Sequence, residues 1–206
     1  ALLRDAHAPD VLGRALSARG NVAGLQGHYD DTLRDFAEAR AAFESAGSPL
    51  ALAVLDSNLG ALDMHRFRYG EAVVVFERAA QRFATFGVHA AELNALTAVA
   101  ELRLALLDPK AALALEPRLR ELIAQVADPV RQRYGELTCV QILAANGRLQ
   151  AAATNLHSTL AAATEADDRA AIARGHALAA EFALARGDTR AAADEAAAAL
   201  QRYDAA

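Results

Sequence analysis

Six histidines and one cysteine are the side chains of this chain best suited to metal or nucleophilic chemistry: His7, His28, His65, His89, His157, His176 and Cys139. No two histidines stand three or four residues apart, so no single helix turn offers a metal pair. His7, His28 and His89 fall in expected turns, where solvated polar residues are ordinary. Cys139 lies in an apolar stretch and reads as a small buried thiol, because a reactive thiolate needs basic neighbours. Asp30-Asp31 and Asp167-Asp168 stand at expected helix starts, where carboxylates favour the helix dipole without any catalytic role. HExxH, CxxC, GxSxG, phosphate-loop and GxGxxG patterns are missing. The expectation is a protein that is not an enzyme and holds no metal or cofactor.

The basic residues Arg66, Arg68, Arg118, Arg120, Arg131 and Arg133 form Arg-x-Arg pairs. Alternate residues on a helix point apart, so these read as a solvated face. The formal charge is −5, which gives no global attraction for nucleic acid or an anionic membrane. No apolar run reaches the ~18 residues of a membrane span, and no signal-peptide pattern opens the sequence. This segment is therefore expected to bind neither nucleic acid nor membrane, and to be cytoplasmic, with the periplasm as the alternative. One cysteine forms no internal disulfide, which leaves the redox compartment open.

The elements that must position any site are helices. Of 206 residues, 55 are Ala and 29 are Leu, while only 14 are Val or Ile. Ala and Leu are the best helix formers, so a large sheet is nearly excluded. Twenty Arg stand beside the single Lys110, a balance that fits a high-GC bacterial genome.

The chain also repeats itself every 40 residues. Tyr29 and Tyr69, Phe36 and Phe76, Gly20 and Gly60, and Gly47 and Gly87 share that offset. Phe43, Phe83, Ile123, Ala163 and Tyr203 form one column, and Thr32, Ala72, Ala112, Ala152 and Ala192 form another. Gly27, Gly147 and Gly187 share a third, with Phe67 and Leu107 between them. Five copies fit without insertion: 8–47, 48–87, 88–127, 128–167 and 168–206. Each copy reads as helix A, a turn and helix B. In the second copy Ser48 caps helix A with Pro49 in its first turn, and Arg66-Phe67-Arg68 turns the chain. Gly87 then closes helix B as its C′ residue. One pair cannot cover its own apolar stripe, so such units occur in arrays. Pro117, after Glu116 in the Phe36/Phe76 column, is expected to kink or break its helix near 113–117.

Gly60, Tyr69, Ala72, Phe76 and Ala79 follow the order of the tetratricopeptide repeat (TPR), as do Gly20, Gly27, Tyr29, Phe36 and Ala39 one repeat earlier. The chain resembles that family over its whole length. The resemblance implies an all-α, TPR-like right-handed superhelical solenoid of five helix-turn-helix repeats. HEAT and armadillo arrays run at a similar period, but the Tyr-x-x-Ala-x-x-x-Phe-x-x-Ala order favours TPR. Forty residues exceeds the usual 34, as in the extended arrays of large bacterial transcription regulators and sensor proteins.

In such arrays helix A lines a concave groove. The resemblance places Arg14, Val54, Asn94, Tyr134 and Arg174 in one groove column. Ser17, Ser57, Thr97, Leu137 and Ala177 form a second, and Asn21, Ala61, Glu101, Gln141 and Glu181 a third. With Asn58, these columns give the expected partner-binding set: Arg14, Ser17, Asn21, Asn58, Asn94, Glu101, Tyr134, Gln141, Arg174 and Glu181. Only Arg14 and Asn58 match the clamp that TPR domains use on chaperone tails, and Asn94 and Ala98 stand where basic residues belong, so that partner is not expected. The expected function is a non-catalytic protein- or peptide-binding scaffold or sensory module of a larger bacterial signalling or transcription-regulatory protein. The alternative is structural homo-oligomerisation through the repeat ends. Leu3 and His7 continue the 40-residue register, so residues 1–7 read as the tail of a preceding repeat helix.

Overall fold

In a computed structural model the chain is all-α. The structure describes residues 2–203, and side chains from 9 to 202. Ten helices follow one another among the described residues: α1 (Leu2–Leu25), α2 (Tyr29–Ser45), α3 (Pro49–His65), α4 (Tyr69–Thr85), α5 (His89–Ala105), α6 (Pro109–Gln125), α7 (Pro129–Ala145), α8 (Leu149–Glu165), α9 (Arg169–Ala185) and α10 (Thr189–Tyr203). None is long and apolar enough to cross a membrane.

From α2 onward the helices start 20 residues apart, and the turns between them set that spacing. Gly27, Gly47, Gly87, Gly147 and Gly187 take the left-handed conformation, and so do Phe67, Leu107 and Asp167. A residue in that conformation lets the next amides fold back onto the last carbonyls of the helix. After α4, Gly87 N donates to Ala84 O and Val88 N to Phe83 O at 2.9 Å. Phe67 and Leu107 adopt the same backbone with φ of 57° and 59°, a conformation that costs a non-glycine residue roughly 1–2 kcal/mol. The turn at 126–128 solves the problem differently. Val126 is extended, and the Gln132 side-chain amide donates to Ile123 O and Val126 O at 3.1 and 2.8 Å.

The chain forms two compact units, Ala1–Leu102 and Arg103–Ala206. In unit 1, α1 packs on α2 and α3 on α4, while α3 also touches α2 and α1. Its core joins Leu16, Phe36, Phe43, Leu55 and Leu62. In unit 2, α6 packs on α7, α7 on α8, α8 on α9 and α9 on α10, with α7 also meeting α9. Leu137, Val140, Leu143, Leu156, Ile172 and Leu178 form a core there. The Gly and Phe columns meet in unit 1: a methyl group added to Gly20 or Gly60 would come within 2.7 or 2.8 Å of the Phe36 or Phe76 ring. Helices A and B approach closely there because glycine leaves room for the aromatic ring.

Four local expectations differ from the structure. Helix α1 runs through Pro9, so His7 lies in a helix and not in a turn. The side chains of Leu3 and His7, and that of Tyr203, lie outside the described residues. Helix α6 runs unbroken through Pro117. That proline is exposed, and buried Ala112 before it and Leu119, Leu122 and Ile123 after it hold both halves in the core. Burial on each side offsets the roughly 3 kcal/mol of a helix-interior proline. Ser48 does not cap α3 with its side chain; its hydroxyl donates to Asp10 Oδ1 at 2.9 Å. The side-chain caps are instead Asp108, Asp128, Asp168 and Asp188, each accepting from a backbone amide two or three residues on.

Finally, Arg120 and Arg133 do not form a freely solvated face. Arg133 donates to Asp168 at 2.7 Å and keeps 13% side-chain exposure. Asp168 thus caps α9 and ties it to α7. Arg120 donates to Glu116 and lies 3.6 Å from Glu136, which explains why a glutamate replaces phenylalanine in that column.

Candidate functional site

Two hollows open on the α1/α3 face of unit 1, and Asn21 and Asn58 line both. One, of about 590 Å³, is walled by Leu25, Tyr29, Leu62 and His65. The other, of about 610 Å³, is walled by Arg14, Ser17, Leu50 and Val54. The tandem packing makes this geometry. Successive A helices lie side by side, and the residue pattern that buries Leu16, Leu55 and Leu62 turns Asn21 outward and leaves Asn58 half-exposed.

The polar groups here are held in place. Asn58 Nδ2 donates to Ser17 Oγ at 3.3 Å, which leaves the Asn58 carbonyl oxygen for a ligand. Arg14 is 73% exposed and donates to Asp10 at 2.8 Å. The Arg66 guanidinium stands over the Tyr29 ring, 5.7 Å from its centroid, a favourable cation–π placement. Its NH1 atom is buried and makes no hydrogen bond.

The expected groove set divides between the units. Unit 1 brings together Arg14, Ser17, Asn21 and Asn58. Asn94 and Glu101 lie on α5, outside the two hollows; Asn94 is exposed and Glu101 half-buried. In unit 2 the Arg174 guanidinium lies 4.2 Å from the centroid of the Tyr134 ring. It donates to Thr138 Oγ1 at 3.1 Å and to Gln141 Oε1 at 2.7 Å. Gln141 and Glu181 line a hollow of about 470 Å³ beside Leu107 and Phe182. The middle column is not uniform: Thr97 and Leu137 are buried in the helix packing, Ser17 is buried yet borders the second hollow, Ser57 is half-buried and Ala177 is exposed.

Cys139 is fully buried, and burial pushes its thiol up to about 12 although Arg120 pulls it down. A thiol reagent at pH 8 is expected to leave native Cys139 unmodified and to react completely in denaturant. Fast labelling of the folded chain would show that the thiol is accessible after all.

Sequence reading missed the strongest electrostatic feature. Asp56 of α3 has 0% side-chain exposure and accepts from Arg40 of α2 and from Arg78 and Arg82 of α4. The signal was an aspartate directly after the apolar run Leu50–Leu55 of helix A. Its partners lie 16, 22 and 26 residues away, spacings that no local pattern connects.

No family profile matches the chain, and no curated protein matches its sequence. Among solved structures the chain is similar to aspartyl phosphate phosphatase F from Bacillus subtilis, with a TM-score of 0.75 at 10% identity over 92% of this chain. The chain spans half the length of that protein. At this identity the likeness concerns the fold: an all-α, TPR-like helical repeat.

Proposed function

We propose that this chain is a non-catalytic module that binds a protein or peptide, built from 40-residue TPR-like repeats and serving a larger bacterial signalling or transcription-regulatory protein in the cytoplasm. The supporting observation is the asparagine pair between two largely apolar hollows on the α1/α3 face. A side-chain amide offers both a donor and an acceptor, which matches the backbone of an extended peptide. The hollows accept apolar side chains on either side of that backbone. The non-catalytic part of the reading rests on the sequence, which lacks the constellations that acyl, phosphoryl or metal-assisted chemistry requires. The similar solved structure is named as an aspartyl phosphate phosphatase; the shared fold alone carries no chemistry to this chain.

The test is selection of binders from a random peptide library on the full chain, followed by calorimetry with Asn21→Ala/Asn58→Ala. The double variant is expected to bind the selected peptides about tenfold or more weakly, a loss of roughly 1.4 kcal/mol or more, with unchanged far-ultraviolet circular dichroism. Equal affinity in the variant would remove the α1/α3 face as the binding site.

A further inference from the structure

The Asp56 cluster holds more positive charge than anchoring a helix requires. Asp56 Oδ1 accepts from Arg40 NH2 at 2.6 Å and Arg78 NH2 at 2.7 Å. Oδ2 accepts from Arg78 Nε at 2.9 Å and from Arg82. Those bonds saturate the carboxylate, while each guanidinium carries five donors and most remain unspent. Arg40, Arg78 and Arg82 keep 31%, 42% and 33% side-chain exposure, so the unspent donors reach solvent. Among the described residues Asp56 is the sole anion paired with any of the three.

Unit 2 shows what a purely structural tie looks like. Arg120 and Glu136 stand 80 residues after Arg40 and Asp56. There one cation meets two carboxylates, Glu116 and Glu136. At Asp56 the balance is reversed, with three cations on one carboxylate, in a chain whose net charge is −5. One arginine suffices to neutralise the buried charge, and two positive charges remain over.

We propose that Arg40, Arg78 and Arg82 form a binding site for a phosphoryl group, with Asp56 as the positioning residue that holds the three guanidinium groups together. A phosphoryl group carries about −1.5 to −2 charge at neutral pH, which matches the surplus. The planar donor fork of arginine suits its oxygens, and exposure lets the anion approach without unfolding the cluster. The three arginines lie on α2 and α4 and line neither hollow, so the site stands independently of the peptide-binding reading. Free phosphate and a phosphorylated side chain of a protein present the same chemistry.

Calorimetric titration of the full chain with inorganic phosphate, in chloride at constant ionic strength, tests the site. Saturable binding is expected, about tenfold weaker in Arg82→Gln. Arg40 and Arg78 still pair with Asp56 in that variant, so its circular dichroism should match the parent. Arg40→Gln provides a second variant with the same expectation. Arg34→Gln, a change at an exposed pair with Asp31, should bind like the parent, as should Asn21→Ala/Asn58→Ala. A phosphoserine pentapeptide and its unphosphorylated form separate the sources. Tighter binding of the phosphopeptide than of phosphate assigns the site to a phosphorylated protein segment; binding of phosphate with exclusion of the phosphopeptide assigns it to the free anion. No saturable phosphate binding, equal binding in parent and both Gln variants, or equal binding of the two peptides would overturn the proposal.

Discussion

Asp56→Asn is expected to destabilise the chain by about 2–3 kcal/mol, read as a lower midpoint in denaturant unfolding. Breaking a fully buried ion pair costs roughly 3–5 kcal/mol. The lower figure applies here because the orphaned guanidinium groups are partly exposed and can turn to water. For a domain of this size the melting temperature should fall by about 5–10 °C. The same variant carries a pH signature. Burial pushes the Asp56 carboxyl up, but the hydrogen bonds from Arg78 and Arg40 and the charge of both outweigh it, leaving the group below its ordinary range. Its contribution is complete above the unfolded carboxylate value of about 3.9 and is lost as pH falls through the lower folded value. The stability gap between parent and Asp56→Asn should therefore be constant from neutral pH to about 5 and close in stronger acid. A gap that stays fixed in acid would mean that charge pairing contributes nothing. Asp63 works in the other direction: burial holds its carboxyl above the ordinary range despite Arg68 nearby, so protonating it favours the folded chain.

Gly60→Ala and Gly70→Ala make the same chemical change and should have opposite signs. Alanine improves helix propensity by about 1 kcal/mol at either site. At Gly60 the new methyl would lie 2.8 Å from two carbons of the Phe76 ring, inside the ~3.5 Å of an ordinary carbon contact. The ring is buried, so any retreat disturbs close-packed neighbours. Overpacking should outweigh the propensity gain, for a net loss of about 1–2 kcal/mol. Gly70 is exposed, and an added methyl meets nothing within 4 Å. That substitution should stabilise by roughly 0.5–1 kcal/mol. Denaturant unfolding of both variants checks the pair; stabilisation by Gly60→Ala would show that helices A and B are not held at glycine distance.

The sequence by itself determined the helices and their turns. Those features are local: helix propensity, Pro49 in a first turn, and residues that accept or tolerate a left-handed backbone at fixed intervals. The Gly20/Gly60 and Phe36/Phe76 columns also carried long-range information, because glycine next to a ring leaves a repeated trace at a constant offset. Asn21 was legible as an outward-facing residue on helix A once the repeat was aligned, and Asn58 through its match to the TPR clamp. Local rules misled at Pro117, where burial on both sides outweighs a local cost, and at Ser48, whose hydroxyl Asp10 captures. Only the tertiary structure decided that Thr97 and Leu137 turn into the packing, that Asn21 and Asn58 divide two hollows, and that Arg40, Arg78 and Arg82 converge on Asp56. The physical reason is reach. A backbone turn is closed by atoms a few residues apart, whereas an arginine finds its carboxylate through the rotation and separation of neighbouring helices, and those are set by side chains from the whole unit packing at once.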